Sequence, residues 1–308
     1  MLSITRLSPH QITAHEKKLY KKVFPSYNVS ILDTCLKGNH PNNAPNSRPL
    51  ILSLQIDGHP QGLLLAHVLP DLFSVEVHLL CLSPQAETGP ILKDLLQYLV
   101  QETLNEHCHI LRWIYVVESD LAPLLQATWK ELDWPNPIPF ALECRFVKAN
   151  FKPPWLYYKY PLPKEMQIFS WKTLKQEERQ QILHQIDQYR VPAAVSPFFK
   201  EHRIDFRSSF GIRCNGEVIG WVITHHIKPD LLHYAAIYVH SEYRHFPCGL
   251  ALLSKSIQRY QTLPGYPFTS LFVNLSKVHL PWLRLIHRRL IPYSSATFHH
   301  ELMSLYLK

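Results

Sequence analysis

The sequence contains an internal repeat, and this repeat limits the folds that the chain can adopt. One copy opens with PLILSLQIDGHPQGLLLAHVL at 49–69, and the other opens with FGIRCNGEVIGWVITHHI at 210–227. Each stretch is typical of two strands joined by a two-residue turn, Asp57-Gly58 in the first and Asn215-Gly216 in the second. The two turns lie 158 positions apart along the chain.

The same order of elements follows each hairpin, namely a strand, a helix, a strand, a helix and a closing strand. Residues at matching places keep a nearly constant spacing, since Leu252 follows Leu95 by 157 positions and Val273 follows Val116 by 157 positions. Unrelated segments have no reason to keep such a register. We therefore predict a tandem duplication of one α/β unit.

The repeat predicts two domains, at 1–150 and 168–308, joined by a linker at 151–167 that is rich in proline and aromatic residues. The formal charge of +8 would suit an anionic partner, but the basic residues are scattered and nucleic acid is not expected. The six cysteines form no C-x-x-C pair, and no metal-binding spacing stands out among the nineteen histidines. No apolar stretch is long enough for a signal peptide or a membrane span, so a cytoplasmic protein is expected.

The stretch VHSEYRHFPCGLALL, residues 239–253, predicts that a strand at 231–239 turns into a helix that begins at Gly249. The first N–H groups of a helix have no partner within it and favour phosphate oxygens, while a glycine lets the backbone come close to a ligand. Pro247 has no N–H group to offer. The sequence therefore predicts a phosphate-binding turn, whose donors are the side chain of Arg244 and the amides of His245, Phe246, Cys248, Gly249 and Leu250.

This order of elements, with Arg244 and Gly249 five residues apart after a strand, resembles the GNAT superfamily of acyl-CoA-dependent N-acyltransferases. The resemblance implies two tandem α/β (α+β) domains, each a mixed, mostly antiparallel sheet flanked by helices. It also implies that residues from Val239 to Leu250 hold the pyrophosphate of acyl-CoA, with no metal ion. Asn274 matches the family's asparagine that contacts the pantetheine arm or a water; a turn-forming Asn is the alternative.

The resemblance also suggests a catalytic base. Family members with a glutamate base carry it eleven positions before the arginine of the loop, and here that position is His233. A free imidazole has a pKa of about 6.5, which suits base catalysis near neutral pH, although a structural histidine is the alternative. In the first half the matching residue is Glu76, while Glu87 replaces the arginine. The first half is therefore expected to be degenerate, with a structural role or as a wall of the acceptor site.

The family's tyrosine general acid is missing, because Ile286 occupies its position. His279, His287 or a tyrosine of the linker could donate the proton instead, or the thiolate leaves without help. Four basic side chains could lie near the 3′-phosphate of CoA or simply face solvent. They are Lys255, Arg259, Arg288 and Arg289.

The predicted function is transfer of an acyl group from acyl-CoA to a primary amine, by a monomer or homodimer. The amine belongs to a small molecule or to a Lys- or Orn-type side chain of a peptide or protein, and a long acyl chain on a ribosomal peptide is one possibility. The segment at 191–209 is expected to form the acceptor wall, where Glu201 and Asp205 could attract the amine. The alternative is a catalytically inactive GNAT-like protein that binds or regulates.

Overall fold

A computed structural model of the chain describes residues 1–8, 46–188, 190–276, 278 and 280–307. These residues form two compact units, of which the first comprises Met1–Phe140 with His299–Lys308 and the second comprises Ala141–Phe298. The described part of the chain has no helix that is both long and apolar enough to span a membrane.

The first unit contains a mixed sheet with the strand order β1-β2-β3-β4-β5-β12. All neighbouring strands are antiparallel except β4 and β5, which are parallel. Its strands are β1 (Leu2–Leu7), β2 (Arg48–Ile56), β3 (His59–Leu69), β4 (Ser74–Leu82), β5 (Ile110–Val116) and β12 (Ala296–Tyr306). Its helices are α1 (Gly89–Asn105) and α2 (Ala122–Glu131).

One face of this sheet packs against α1 and α2. Alternate residues along each strand point to the same face, and here the leucines and valines of one face meet Leu92, Leu95, Leu96 and Leu99 of α1. Trp129 of α2 completes the core and lies edge-on to Trp113 of β5, with ring centroids 5.8 Å apart. Helix α1 therefore buries one apolar stripe in the core of the first unit.

The second unit repeats this arrangement with the strand order β6-β11-β10-β9-β8-β7, in which only β10 and β11 are parallel. Its strands are β6 (Ile138–Val147), β7 (Met166–Ser170), β8 (Phe210–Cys214), β9 (Glu217–Lys228), β10 (Leu231–Val239) and β11 (Phe268–Asn274). Its helices are α3 (Gln176–Asp187), α4 (Cys248–Thr262) and α5 (Leu280–Leu285). A π-helical segment, Ile286–Leu290, continues α5.

The sheet of the second unit has a core on each face. Helix α4 packs on one face, with Leu252 and Ile257 against Leu271 of β11. Helix α3 packs on the other face, with Ile182 near Trp221 of β9. Each face is therefore shielded by a helix over part of its area.

The proline- and aromatic-rich segment at 151–167 packs within the second unit. Phe151, Trp155 and Leu156 are buried in the core beneath α4. The indole N–H of Trp155 donates to the carbonyl oxygen of Arg289 at 2.9 Å, and Gln258 donates to the carbonyl oxygen of Leu156 at 2.7 Å. These contacts give the segment a defined conformation.

The last strand of each copy of the sequence repeat lies in the compact unit formed by the other copy. Strand β6, which ends the first copy of the repeat, pairs with β11 of the second unit, and β12, which ends the second copy, pairs with β5 of the first unit. Both predicted hairpin turns are confirmed. Asp57 (φ 50°), Gly58 (φ 77°), Asn215 (φ 50°) and Gly216 (φ 88°) all have the positive φ that such turns require.

Candidate active site

The two parallel strands in the middle of the second unit separate partway along their length. Among the described residues, β10 and β11 pair only from Leu231–Tyr234 to Phe268–Leu271. The register of β10 with β9 shifts between Tyr234 and Ala236, where an extra residue forms a β-bulge. Beyond this bulge a gap opens between the two strands. The first unit repeats the feature, since β4 and β5 pair only from Ser74–Val77 to Ile110–Trp113.

The backbone of β10 offers hydrogen-bonding groups to this gap. The N–H of His240 donates to the carbonyl oxygen of Ile219 on β9 at 2.8 Å. Because the direction of these groups alternates along a strand, the backbone N–H and C=O of the preceding residue, Val239, point to the other edge of β10. Consistent with this, the Val239 carbonyl oxygen accepts a hydrogen bond from Nε of Arg244 at 2.9 Å. By the same alternation the peptide groups of Ile237 face the gap.

Helix α4 begins at the mouth of the gap, one residue before the predicted start. The N–H of Ala251 donates to the Pro247 carbonyl oxygen at 2.9 Å. The N–H groups of Cys248, Gly249 and Leu250 make no hydrogen bond to another described residue. These three groups, together with the partial positive charge of the helix start, favour an anion.

The other predicted phosphate contacts differ in their availability. The N–H of Phe246 already donates to the Tyr243 carbonyl oxygen at 3.2 Å, and its ring is half-buried. This amide is therefore not available in the structure as it stands. Arg244 and His245 are both exposed, and the His245 ring lies on the Phe246 ring with centroids 4.0 Å apart.

Gly249 leaves open space at the start of the helix. A Cβ built on this residue would approach only the Val239 side chain, at 3.7 Å, which is ordinary van der Waals contact. No φ in the left-handed region requires glycine here. The packing of the protein therefore does not explain the glycine, whereas the close approach of a ligand would.

His233 lies in a row of polar residues that crosses four strands. By register it is opposite His225 on β9 and Ser270 on β11, and Ser270 is opposite Arg145 on β6. Nδ1 of His233 lies 2.9 Å from Oγ of Ser270. The next residue, Tyr234, points into the core on the opposite face. The row lies just below the point where β10 and β11 separate.

The environment of the row keeps both imidazoles neutral. The pKa of His233 is lowered to about 4, chiefly by burial; the charge of Glu143 raises this pKa, and the charge of Lys200 lowers it. Burial also lowers the pKa of His225 to about 4, helped by His233 and Arg203. The expectation of an ordinary imidazole pKa near 6.5 is therefore wrong for His233, because burial disfavours the charged form.

The structure gives Asn274 a role in the turn that follows β11. Its Oδ1 accepts hydrogen bonds from the backbone N–H and the hydroxyl of Ser276, at 3.0 Å and 2.7 Å. Asn274 therefore forms the turn, which is the second of its two predicted roles. Its contact with the pantetheine arm stays a prediction. Of the described residues, Ile286 is fully buried in the core, His287 is exposed, and the hydroxyl of Tyr160 donates to the carbonyl oxygen of Trp155. His279 lies outside the described residues.

The carboxylates of the predicted acceptor wall are already paired. Both oxygens of Glu201 accept hydrogen bonds from the guanidinium of Arg179, at 2.5 Å and 2.7 Å. Asp205 is buried and is bound by Arg207 at 2.8 Å. Among the described residues, no group of three or more His, Cys, Asp or Glu side chains is arranged to hold a metal ion. The four basic residues considered for the 3′-phosphate, Lys255, Arg259, Arg288 and Arg289, are all exposed.

The matching loop of the first unit is closed by its own hydrogen bonds. The N–H groups of Ala86 and Glu87 both donate to the Ser83 carbonyl oxygen, at 2.9 Å and 3.1 Å, and that of Thr88 donates to Ala86 at 2.8 Å. Helix α1 carries Pro90, which has no N–H, in its first turn. This loop therefore offers fewer amides to an anion than the loop before α4.

The fold can be compared with solved structures. The chain is similar to a tandem GNAT protein from the clavulanic acid biosynthesis pathway, with a TM-score of 0.66 and 14% identity, over 99% of this chain and 98% of that chain. The chain has a tandem GNAT fold. It is also similar to a GCN5-related N-acetyltransferase from Sphaerobacter thermophilus, with a TM-score of 0.65 and 13% identity, over 99% of this chain and 96% of that chain.

A third similar structure is the glucosamine N-acetyltransferase region of a fungal multi-domain GH3 β-N-acetylglucosaminidase. It has a TM-score of 0.66 and 11% identity, and the match covers 99% of this chain but 38% of that one. No protein-family model and no curated protein sequence matches the chain. The tandem GNAT fold is therefore supported by structure, at identities where sequence comparison finds nothing.

Sequence reasoning missed two members of the polar row, Ser270 and His225. His225 follows from the pairing of the neighbouring strands β9 and β10, whereas Ser270 follows from the pairing of β10 with β11, which is distant in sequence. The adjacent histidines His225 and His226 lie on opposite faces of β9. His225 faces His233, while His226 contacts the ring of Tyr266 on the other side.

Proposed function

We propose that the second unit transfers an acyl group from the thioester of acyl-CoA to a primary amine. One observation carries the proposal: the gap between β10 and β11 ends at the start of α4, where the amides of Cys248, Gly249 and Leu250 have no partner among the described residues. A pyrophosphate fits such a helix start, and an extended amide-containing chain fits an unpaired strand edge. Acyl-CoA combines both features in one molecule.

Each predicted contact then has a physical role. The amides at the start of α4 and the Arg244 side chain hold the pyrophosphate, and the peptide groups of Ile237 and Val239 bond to the pantetheine arm. Asn274, at the far side of the gap, adds a contact to the arm through its amide group. The first unit, whose loop is closed and carries Glu87 in place of arginine, acts structurally.

The proposed reaction uses His233 as the base. The neutral amine attacks the thioester carbonyl carbon, the nitrogen loses a proton, and the C–S bond breaks to give an amide and the thiolate of CoA. With a pKa of about 4, His233 is neutral at physiological pH and can accept that proton without first losing one. Ile286 cannot donate a proton, so the thiolate leaves as such or takes a proton from water.

A binding protein without catalysis is the second candidate, and Pro247 favours it. Proline removes one amide from the loop, and the low pKa of His233 makes it a weak base.

The test combines binding with turnover. Thermal unfolding is measured with CoA, acetyl-CoA and palmitoyl-CoA, since a ligand at about 100 times its Kd adds about 2.7 kcal/mol to the free energy of unfolding. Mass spectrometry then follows acyl transfer to a panel of small amines and lysine-containing peptides. Binding with transfer supports the proposal, binding without transfer to any amine supports the binding protein, and no stabilisation by any of the three thioester or thiol ligands rules out both.

A further inference from the structure

A cavity lies between α4 and the sheet of the second unit. Its empty volume, including the space at its open end, is about 340 Å³, and small-molecule pockets range from about 300 to 1,000 Å³. The described residues that line it are leucines, isoleucines, phenylalanines and tyrosines, together with Thr269. Protein interiors are close-packed and contain few voids larger than a water molecule. A cavity of this size is therefore a candidate site for an apolar ligand.

The cavity adjoins the point where β10 and β11 separate. Tyr234 and Leu271, the last pair that the two strands form among the described residues, both line it. Ile237, whose peptide groups face the gap, lines it as well. On α4 the first lining residue is Leu253, which lies about one turn after Gly249. The cavity therefore meets the gap in which the pantetheine arm is proposed to lie.

The cavity is on the face of the sheet opposite to His233. Adjacent residues of a strand point to opposite faces, and Tyr234 belongs to the core beneath α4. A thioester held where the strands separate would therefore present its carbonyl carbon to an amine on the His233 face, while its acyl chain leaves on the α4 face. In this arrangement the acyl chain and the amine do not compete for space.

Helix α4 indicates how long a chain the cavity accepts. Leu253 and Tyr260 both line the cavity and are separated by about 10 Å along the helix axis, at about 1.5 Å per residue. An extended chain advances about 1.2 Å per bond, since the three backbone bonds of a residue span about 3.6 Å. The cavity is therefore about as long as a chain of eight bonds. Tyr260 is the last lining residue along α4, and its hydroxyl is held by the carbonyl oxygen of Tyr266 at 3.0 Å.

The side walls of the cavity are fixed by contacts of their own. Phe146 of β6 lies edge-on to Phe151, with ring centroids 4.8 Å apart. Leu290, at the end of the π-helical segment, follows Arg289, whose carbonyl oxygen accepts the hydrogen bond from the indole of Trp155. Walls that are held in this way limit the length and width of a chain.

We propose that the acyl group carried by CoA is a hydrocarbon chain of about four to eight carbons, and that this cavity binds it. The inference rests on the proposed acyl transfer, because the chain enters the cavity from a thioester held between β10 and β11. None of the described lining residues is charged, so the cavity suits a hydrocarbon chain and disfavours an acyl group with a free carboxylate. An acetyl group would leave most of the cavity unfilled and forgo its contacts.

The experiment measures the Kd of CoA thioesters of increasing chain length by calorimetry. The series is acetyl-, butanoyl-, hexanoyl-, octanoyl-, decanoyl- and palmitoyl-CoA, and the proteins are the wild type, Ile257→Ala, Ile257→Phe and Ile182→Ala. Ile257 lines the cavity and is 4% exposed, whereas Ile182 is 1% exposed and packs on the other face of the same sheet. Ile182→Ala is therefore the matched control. Unfolding temperatures show that the variants are folded, and Leu253→Phe replaces Ile257→Phe if the latter does not fold.

We expect the Kd to fall about fourfold for each methylene from acetyl to hexanoyl, which corresponds to about 0.8 kcal/mol per buried methylene. The decrease should end at about eight carbons, where the cavity ends. Ile257→Ala should shift the tightest binding to longer chains and Ile257→Phe to shorter ones, while Ile182→Ala keeps the order of the wild type. A Kd that does not depend on chain length, or the same order of chains in all four proteins, would show that the inference is wrong.

Two further results would assign the cavity to another occupant and overturn the inference. If Ile257→Phe weakens acetyl-CoA and octanoyl-CoA equally, the cavity holds the pantetheine arm. If free octanoate binds as tightly as octanoyl-CoA and is also weakened in Ile257→Phe, the cavity holds a free fatty acid.

Mass spectrometry of acyl transfer to the amine panel separates this inference from the proposed function. If amines are acylated but the Kd and the turnover show no preference for chain length, the inference is wrong while acyl transfer stands. If the Kd shows a preference that changes in the Ile257 variants but no amine is acylated, the cavity is supported and the proposed transfer fails. If none of the thioesters binds, both are wrong.

Discussion

Nδ1 of His233 lies 2.9 Å from Oγ of Ser270 on the neighbouring parallel strand. When the serine accepts this hydrogen bond, Nδ1 carries the ring proton and Nε2 carries the lone pair that a base needs. Ser270 is then a positioning residue, which selects the tautomer of His233. The contact ties the candidate base to the strand that forms the other side of the gap.

Replacing His233 by Ala should lower kcat by about a hundredfold or more, as the loss of a general base does, while the Kd for acetyl-CoA stays unchanged. Ser270→Ala should lower kcat less and leave both KM values unchanged. His184→Gln, at an exposed histidine of α3, is the control. Turnover is measured by release of the CoA thiol and binding by calorimetry. Full activity in His233→Ala would remove this residue from the mechanism.

The pH profile of turnover provides a second check on the same pair. Because the pKa of His233 is about 4, kcat should decrease on the acidic side only below pH 5, and not near pH 6.5. A limb near 6.5 would mean that the imidazole is solvated during the reaction. In Ser270→Ala the limb should move, which a purely structural role of the serine would not produce.

Stability should also depend on pH through His225 and His233, whose imidazoles both have a lowered pKa. In the unfolded chain each imidazole titrates near 6.5, and in the folded chain near 4. Between these values the unfolded state binds more protons, so the free energy of unfolding is complete above pH 6.5 and falls as the pH drops toward 4. At pH 5 the loss should be on the order of 2 kcal/mol for a single fully buried imidazole.

Urea unfolding at pH 7 and pH 5 measures this loss. His225→Leu should reduce it, because His225 is 3% exposed and its charged form is excluded from the core. His184→Gln should leave it unchanged. An equal loss in His225→Leu and in the wild-type protein would show that His225 does not titrate on unfolding in this range.

Much of the second unit could be predicted from local patterns. The Asn215-Gly216 turn, the strand at 231–239 and the helix that follows Pro247 all depend on signals within a few residues, and the structure has them at or within one residue of the predicted places. The structure keeps the spacing of 157 positions between the two copies, since β4 begins at Ser74 and β10 begins at Leu231. Local chemistry and the repeat therefore determine the order of elements.

The remaining features depend on contacts between distant residues. The alternation of apolar residues along β6 and β12 indicates which side chains are buried but not which strand lies beside each. The pairing of β6 with β11 and of β12 with β5 could therefore not be predicted from the sequence. The pKa of His233 is lowered by burial in the folded protein, and Ser270, whose hydroxyl contacts its ring, is 37 residues away in the sequence. The left-handed backbone conformation of Lys200 could not be predicted from the sequence either, because lysine does not favour this conformation.

Arg244 and Glu87 occupy matching loops of the two units, and removing the charge of each should affect CoA binding differently. Arg244→Gln should weaken CoA binding about tenfold, because a charge-assisted hydrogen bond to phosphate is lost. Glu87→Gln in the first unit should leave the Kd unchanged. Calorimetry with CoA and with dephospho-CoA measures both. Equal weakening by the two variants would indicate a general effect of net charge.

Gly249 should be replaceable without loss of stability but not without loss of binding. Gly249→Ala adds a Cβ that touches only Val239, at 3.7 Å, and alanine favours a helix over glycine by up to about 1 kcal/mol. The added methyl group fills the space that the pyrophosphate is proposed to occupy, so the Kd for CoA should rise. Gly89→Ala, at the start of α1 in the first unit, meets no atom within 4 Å and should change neither binding nor folding. Unaltered CoA binding in Gly249→Ala would show that the phosphate does not bind at the start of α4.

Pro247 limits the number of amides in the loop, so removing it should strengthen binding. Its φ of −76° and ψ of 27° are open to alanine, and its carbonyl oxygen would still accept from Ala251. Pro247→Ala adds an N–H group at the helix start, where a hydrogen bond to phosphate would lower the Kd for CoA by roughly three- to tenfold. Pro90→Ala, in the first turn of α1, adds an amide to the first unit and should leave the Kd unchanged. Weaker binding in a folded Pro247→Ala protein would mean that the rigid proline shapes the loop for its ligand and that the missing amide costs no affinity.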